Sequence, residues 1–172
     1  MDFFSAYSLP LQGLKMGLHE YRYVLGEAFF AHFESSLIRQ GEVQVVVYVD
    51  KRPSLIILDF YVSGYTNTIC DRCNAAIQLP LNEESRQLIL KYGEAEANEN
   101  DDEVVFISRD VSDFCLAPYL YEFATLALPM TNTYDCQRET PQPCNQEVLR
   151  ILETLTPNEQ PNPIWESLRN LQ

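Results

Sequence analysis

The 172 residues carry 12 Lys and Arg against 25 Asp and Glu, a formal net charge of −13. Apolar residues make up 46% and aromatic residues 12%, enough for the core of one domain with or without a tail, which excludes a disordered chain, a collagen or a coiled coil. No apolar run reaches the ~18 residues of a membrane span. The opening MDFFSAYSLPLQGLKMGLHEY has no basic stretch ahead of a long apolar one, so no secretory leader is expected and the expected location is the cytoplasm. So acidic a chain offers no broad counterion-release footprint to nucleic acid, and no DNA partner is expected. A small basic patch stays open, and the acidity suits either simple solubility or a basic partner such as a ribosomal protein.

Residues 1–25 lack clean helical spacing, and Tyr21, Tyr23 and Leu25 alternate with Arg22 and Val24 as a strand does. In EAFFAHFESSLIRQG, Phe29, Phe30, Phe33, Leu37 and Ile38 fall mostly on one helical face, and Gly41 is placed to stop that helix. EVQVVVYV at 42–49 puts Val43, Val45, Val47 and Val49 on one face of a strand; DKRPS turns, and LIILDFYVSGY at 55–65 returns, giving the clearest hairpin in the chain. Residues 66–69 continue extended and deliver Cys70. AAIQLPL, QLILKY and VVFIS read as further strands. Between the last two, GEAEANENDDE holds six acids and no base, which reads as a mobile loop or as an acidic segment for a basic partner.

APYLYEFATLAL at 117–128 predicts a helix with Pro118 in its first turn, an apolar stripe of Leu120, Phe123, Ala124 and Ala127, and Pro129 as its stop. Residues 130–144 are polar and irregular. Asn145 can cap a helix over 146–155 with Val148, Leu149, Ile151, Leu152 and Leu155 facing inward. After the linker PNEQPNP, Asn162 and Pro163 introduce a last short helix with Ile164, Trp165, Leu168 and Leu171. Strands that follow one another without intervening helices predict an α+β class: a twisted, mostly antiparallel sheet or partly open barrel with flanking helices. The expected division is a core over 1–129 and a helical C-terminal extension over 130–172.

Chemistry concentrates on cysteine. Of Cys70, Cys73, Cys115, Cys136 and Cys144, an odd number in a mid-sized chain, no disulfide scaffold is expected. CDRC at 70–73 can aim two thiolates at one Zn²⁺ through a tight turn, and Cys136 and Cys144 can complete a structural Cys₄ site. Their seven-residue separation is looser than the usual knuckle, so buried unliganded thiols stand beside zinc as a reading of the same residues. Cys115, in FCLAP, is expected in the core. A thiol–disulfide oxidoreductase also uses CxxC, but at a helix N-terminus; here the motif lies between extended segments, and Asp71 opposes the help Arg72 gives a thiolate. His19 and His32 suit packing or the surface better than catalysis. No phosphate loop, GxSxG, HExxH or EF-hand loop occurs, and no enzyme is expected. The many aromatics suit the core, while Arg39, Lys51, Arg52 and Arg72 are candidates for a modest basic patch.

The order of these parts resembles the YceD family, named for accumulation of the large ribosomal RNA subunit. The resemblance rests on the FF segment, EVQVVVYVDKRPSLIILDFYVSG, CDRC, the acidic stretch, VVFISRDVSD, PYLYEFATLALP and the closing NPIWESLRNL. It implies a cytoplasmic bacterial protein that is not an enzyme, needed for accumulation of large-subunit ribosomal RNA. The family often accompanies a ribosomal protein gene and has been described as metal- and nucleic-acid-binding. Cys70 and Cys73 match its paired thiols, and Cys144 stands where many relatives carry a later cysteine. Asn162 and Ile164 replace the usual acid and base around Pro163. Relatives often have a histidine after Leu-Pro; this chain has Tyr134 near that place, with Cys136 as a shifted ligand. The expected partners are a basic ribosomal protein, ribosomal RNA, or both, with Asp71 and Arg72 as the docking residues. A zinc-stabilised interaction module unrelated to ribosomes is the alternative.

Overall fold

The computed structural model describes residues 3–93, 103–136 and 139–155. After a 3₁₀ turn at Phe3–Tyr7 come β1 (Ser8–Pro10), β2 (Gly17–Leu25), α1 (Glu27–Phe30), β3 (Gly41–Lys51), β4 (Leu55–Ile69), β5 (Ala76–Pro80), β6 (Glu84–Tyr92), β7 (Val104–Ile107), β8 (Asp113–Cys115), α2 (Ala117–Leu126) and α3 (Gln146–Leu155). The class is α+β, as expected. The main sheet runs β2-β3-β4-β6-β7, with β5 beside β6 on the same edge of the long β4. The sheet is not closed.

The β3–β4 hairpin is the axis of the molecule. Its register, Gly41↔Thr66 to Lys51↔Ile56, turns Val43, Val45, Val47 and Val49 to the same face as Ile56, Leu58, Phe60 and Val62, all buried. Leu88 and Leu90 of β6 extend that face, and α2 covers it, with the Phe123 ring edge-on to Phe60 at 4.9 Å. Each such side chain taken from water contributes about 1.5–3 kcal/mol. The stripe predicted on α2 is the one buried: Leu120, Phe123, Ala124 and Ala127. The opposite sheet face is only partly buried along Val46, Tyr48, Ile57 and Ile89.

Four expectations are corrected. The helix after Gly26 lasts only from Glu27 to Phe30, because Gly26 supplies no side-chain cap and Ser36 Oγ donates to the Ile38 carbonyl at 2.8 Å, a local bond that competes with helix. Gly41 therefore opens a strand instead of closing a helix. The sheet is mostly antiparallel, as expected, and β6 with β7 is its parallel pair among the described strands, from Ile89↔Val104 to Tyr92↔Ile107; a tight turn between them would have forced an antiparallel pair. Cys115 is exposed, since strand alternation in the short β1–β8 ribbon turns Phe114 inward and Cys115 out. The apolar side of α3 does not face inward: it has no buried member, and Ile151 is 51% exposed. The readings for 94–102 and 156–172, the acidic stretch and the last helix, lie outside the described residues.

Candidate metal centre

β4 and β5 close on the pair Ile69↔Ala76, and the residues between them form the CDRC turn. Cys70 N donates to the Ala75 carbonyl and Asn74 N to the Cys70 carbonyl, at 2.8 and 2.9 Å. Asn74 takes φ 55°, a left-handed conformation that asparagine tolerates better than most residues. This tight reversal brings the Cys70 and Cys73 sulfurs within hydrogen-bonding contact of each other. Cys73 is 2% exposed, while Asp71 and Arg72, at the tip, are exposed.

The second half comes from the irregular chain after α2. The Cys136 and Cys144 sulfurs are 2.8 Å apart, and the Cys144 thiol also contacts Cys73. The four predicted ligands therefore form one unbroken series, Cys70–Cys73–Cys144–Cys136. Among the described residues no three such groups are already spaced as a metal shell. In a tetrahedral zinc tetrathiolate the sulfurs stand about 3.8 Å apart, given Zn–S bonds of about 2.3 Å. The Cys136–Cys144 pair, at 2.8 Å, is closer than that, so taking a metal requires these two sulfurs to part.

Backbone amides prepare the centre. The Cys73 sulfur accepts hydrogen bonds from the amides of Asn145 and Ala75, and these, led by Asn145, hold its thiol below the ordinary range against the opposing effect of burial. Cys144 is pushed the other way, to about 11, first by its hydrogen bond with Cys136, then by burial and the charges of Cys136 and Cys73. One thiolate thus raises the next, a penalty that a divalent cation at the centre would reverse. Asn145 works twice, because its Oδ1 also caps α3 by accepting from Glu147 N and Val148 N at 3.1 and 3.3 Å.

Asp71 ties the halves together outside the sulfurs. Its N donates to the Asn132 carbonyl at 3.1 Å, and its carboxylate accepts from Asn132 N at 2.7 Å and from Asn132 Nδ2 at 3.4 Å. Tyr134, which stands near the position where a histidine was expected, donates to Glu139 at 2.8 Å. Burial first, then Glu139, pushes its phenol up to about 12, so it stays protonated and serves as a buttress beside the cluster. Sequence reasoning paired the cysteines but missed Asn132, Glu139 and the Asn145 amide. Of these only Asn145 carried a signal, as a helix cap. The histidines are packed or locally bonded: His32 stacks on Phe3 at 3.7 Å, and His19 Nε2 lies 2.8 Å from the Lys15 carbonyl.

Sheet and cluster together define an open α+β scaffold carrying a cysteine knuckle on a β-hairpin, clamped against the start of a capped helix. A family model described as "Large ribosomal RNA subunit accumulation protein YceD" matches residues 58–172, from inside β4 through the knuckle to the C-terminus. The chain belongs to the YceD family. No curated protein matches it, and no solved structure does. Among the described residues no helix is long and apolar enough to cross a membrane.

Proposed function

We propose that the protein is a non-enzymatic accessory factor for accumulation of large-subunit ribosomal RNA, acting in the bacterial cytoplasm by binding a ribosomal protein, ribosomal RNA, or both. The observation that carries this reading is the family match over 58–172. The net charge of −13 favours a basic protein among the partners. Cys70, Cys73, Cys136 and Cys144 are assigned as the ligands of a structural Zn²⁺, whose chemistry would be to hold four thiolates together and so fasten the CDRC turn to the beginning of α3. In that arrangement Arg72 is the docking side chain and Asp71 positions it, since the Asp71 carboxylate is already committed to Asn132.

A thiol–disulfide reading fits the geometry less well. The thiol held low is Cys73, which is 2% exposed, and an external disulfide has no access to a sulfur that deep.

The test is sedimentation of the tagged full chain from bacterial lysate on sucrose gradients at low and high salt. Co-migration with large-subunit precursor particles at low salt, weakening as salt rises, is the expected result. Protein found only at the top of the gradient at low salt overturns the reading.

A further inference from the structure

A second site lies at the other end of the β3–β4 hairpin from the Gly41↔Thr66 pair. Here a cavity of about 280 Å³ is lined by Lys51, Arg52 and Arg109, with Gln12, Tyr92 and apolar neighbours, and no carboxylate side chain is among its lining residues. Three cations thus converge in a chain of net charge −13. Two of them are held in place by uncharged groups. Lys51 Nζ donates to the carbonyls of Leu11 and Leu14 at 2.7 and 2.8 Å, which fixes the ammonium and leaves its third N–H for another acceptor. The Arg109 guanidinium lies over the Tyr92 ring, 5.4 Å from its centroid. Arg52 pairs with Asp50 at 2.8 Å, and neither Lys51 nor Arg109 joins any ion pair among the described residues.

Holding like charges together costs free energy that an anion recovers. Two guanidinium groups beside a fixed ammonium match the oxygens of a phosphate, to which arginine bonds bidentately. The flat Arg109–Tyr92 pair beside that position offers a surface for a base. The cavity takes about one nucleotide, at the small end of ligand pockets. A duplex would press a second row of phosphates against an acidic surface, whereas a single strand can enter locally.

We propose that the Lys51–Arg52–Arg109 pocket binds a backbone phosphate of single-stranded RNA. This rests on the functional reading above and supplies its RNA contact, separate from the cysteine knuckle.

The experiment measures binding of the full chain to a 5′-fluorescein-labelled uridine dodecamer by anisotropy across a salt series. The double variant Arg52→Gln/Arg109→Gln is expected to bind roughly tenfold more weakly. Its slope of log affinity against log salt should fall by about 0.7, the value for one phosphate contact on a single strand. Arg22→Gln removes a 70% exposed arginine elsewhere on β2 and is expected to change affinity less than twofold. Photocrosslinking of a 4-thiouridine oligomer to the wild-type chain, mapped to peptides holding Tyr92 or Arg109, supplies a readout that does not depend on the variant folding.

Equal losses from Arg22→Gln and the double variant, or crosslinks confined to other peptides, overturn the proposal. So does inorganic phosphate at millimolar concentration displacing the oligomer completely, which would mark a small-anion site. If the wild type sediments with precursor particles but RNA binding ignores the pocket, this inference fails and the functional reading stands. If binding depends on the pocket but no particle association occurs, the functional reading fails and the pocket stands.

Discussion

Gly64 stands opposite Val43 in the β3–β4 ladder at φ 137°, and a Cβ there would drive into the Glu42 carbonyl. Gly41 is its counterpart, with φ 148° and the Tyr65 carbonyl in the way. The two glycines let the strands cross closely where β4 leaves its pairing with β6 and takes up β5. Gly64→Ala is expected to cost about 1–3 kcal/mol from backbone strain alone, with the clash added. Urea unfolding should show the midpoint fall, while Gly13→Ala, which meets nothing within 4 Å, leaves it within error; equal midpoints for the two variants would remove the close-approach argument. At this scale sequence was a partial guide. A glycine inside VSGYT marks a close backbone approach, but its partner strand fixes what it approaches, and Gly41 was misread for that reason. Cys115 was misread because its apolar neighbours Phe114 and Leu116 point a different way from Cys115 itself.

Among elements, the legible ones carry their own periodicity. Four alternating valines declared β3, and the spacing of Leu120, Phe123, Ala124 and Ala127 declared α2. The elements that escaped depend on distant chain. β1 and β8 have three residues each, too few for a pattern, and the parallel β6–β7 pair is decided by how far the link must travel. The irregular segment 130–136 is likewise ordered from outside, through Asp71. Its amide and carboxylate bonds to Asn132 join residues 61 apart in the chain, a relation that no local motif announces. Asp71→Ala removes both side-chain acceptors. Because the site is exposed, the expected loss is only about 1 kcal/mol of global stability, but the Asn132 amide should exchange with solvent markedly faster in hydrogen-exchange NMR. Arg72→Ala should leave that amide protected. If Asn132 exchange is unchanged in Asp71→Ala, the clamp does not order the segment.

For the whole molecule, charge and cysteine content pointed in two directions that the fold separates in space. The acidity predicts a basic partner, yet it hid a basic pocket. Lys51 and Arg52 were visible as a pair beside a turn, but Arg109 reaches them only through the β6–β7 crossover, so no reading of local composition could assemble the three. The cysteines were more legible, because CDRC brings two of the four sulfurs together by itself. What sequence could not give was the order of the sulfurs, with Cys144 rather than Cys136 against Cys73. A sheet with its own apolar core, from Val43 to Leu90, is expected to fold without a metal, unlike small fingers in which zinc supplies about 10–16 kcal/mol. Zinc on the cluster should therefore stabilise the attachment of residues 130–155 while the sheet survives without it. Protein purified without chelator is expected to contain one zinc per chain by elemental analysis, with Cys73→Ser losing it and Cys115→Ser keeping it. Zinc held at a hundredfold over its dissociation constant adds about 3 kcal/mol to the unit that binds it. Chelation should accordingly lower the melting transition of the wild type, leave that of Cys73→Ser unmoved and preserve the far-ultraviolet dichroism of the sheet in both. Zinc-free wild-type protein, or Cys115→Ser losing metal as completely as Cys73→Ser, would show that these sulfurs meet as packed thiols and not as ligands.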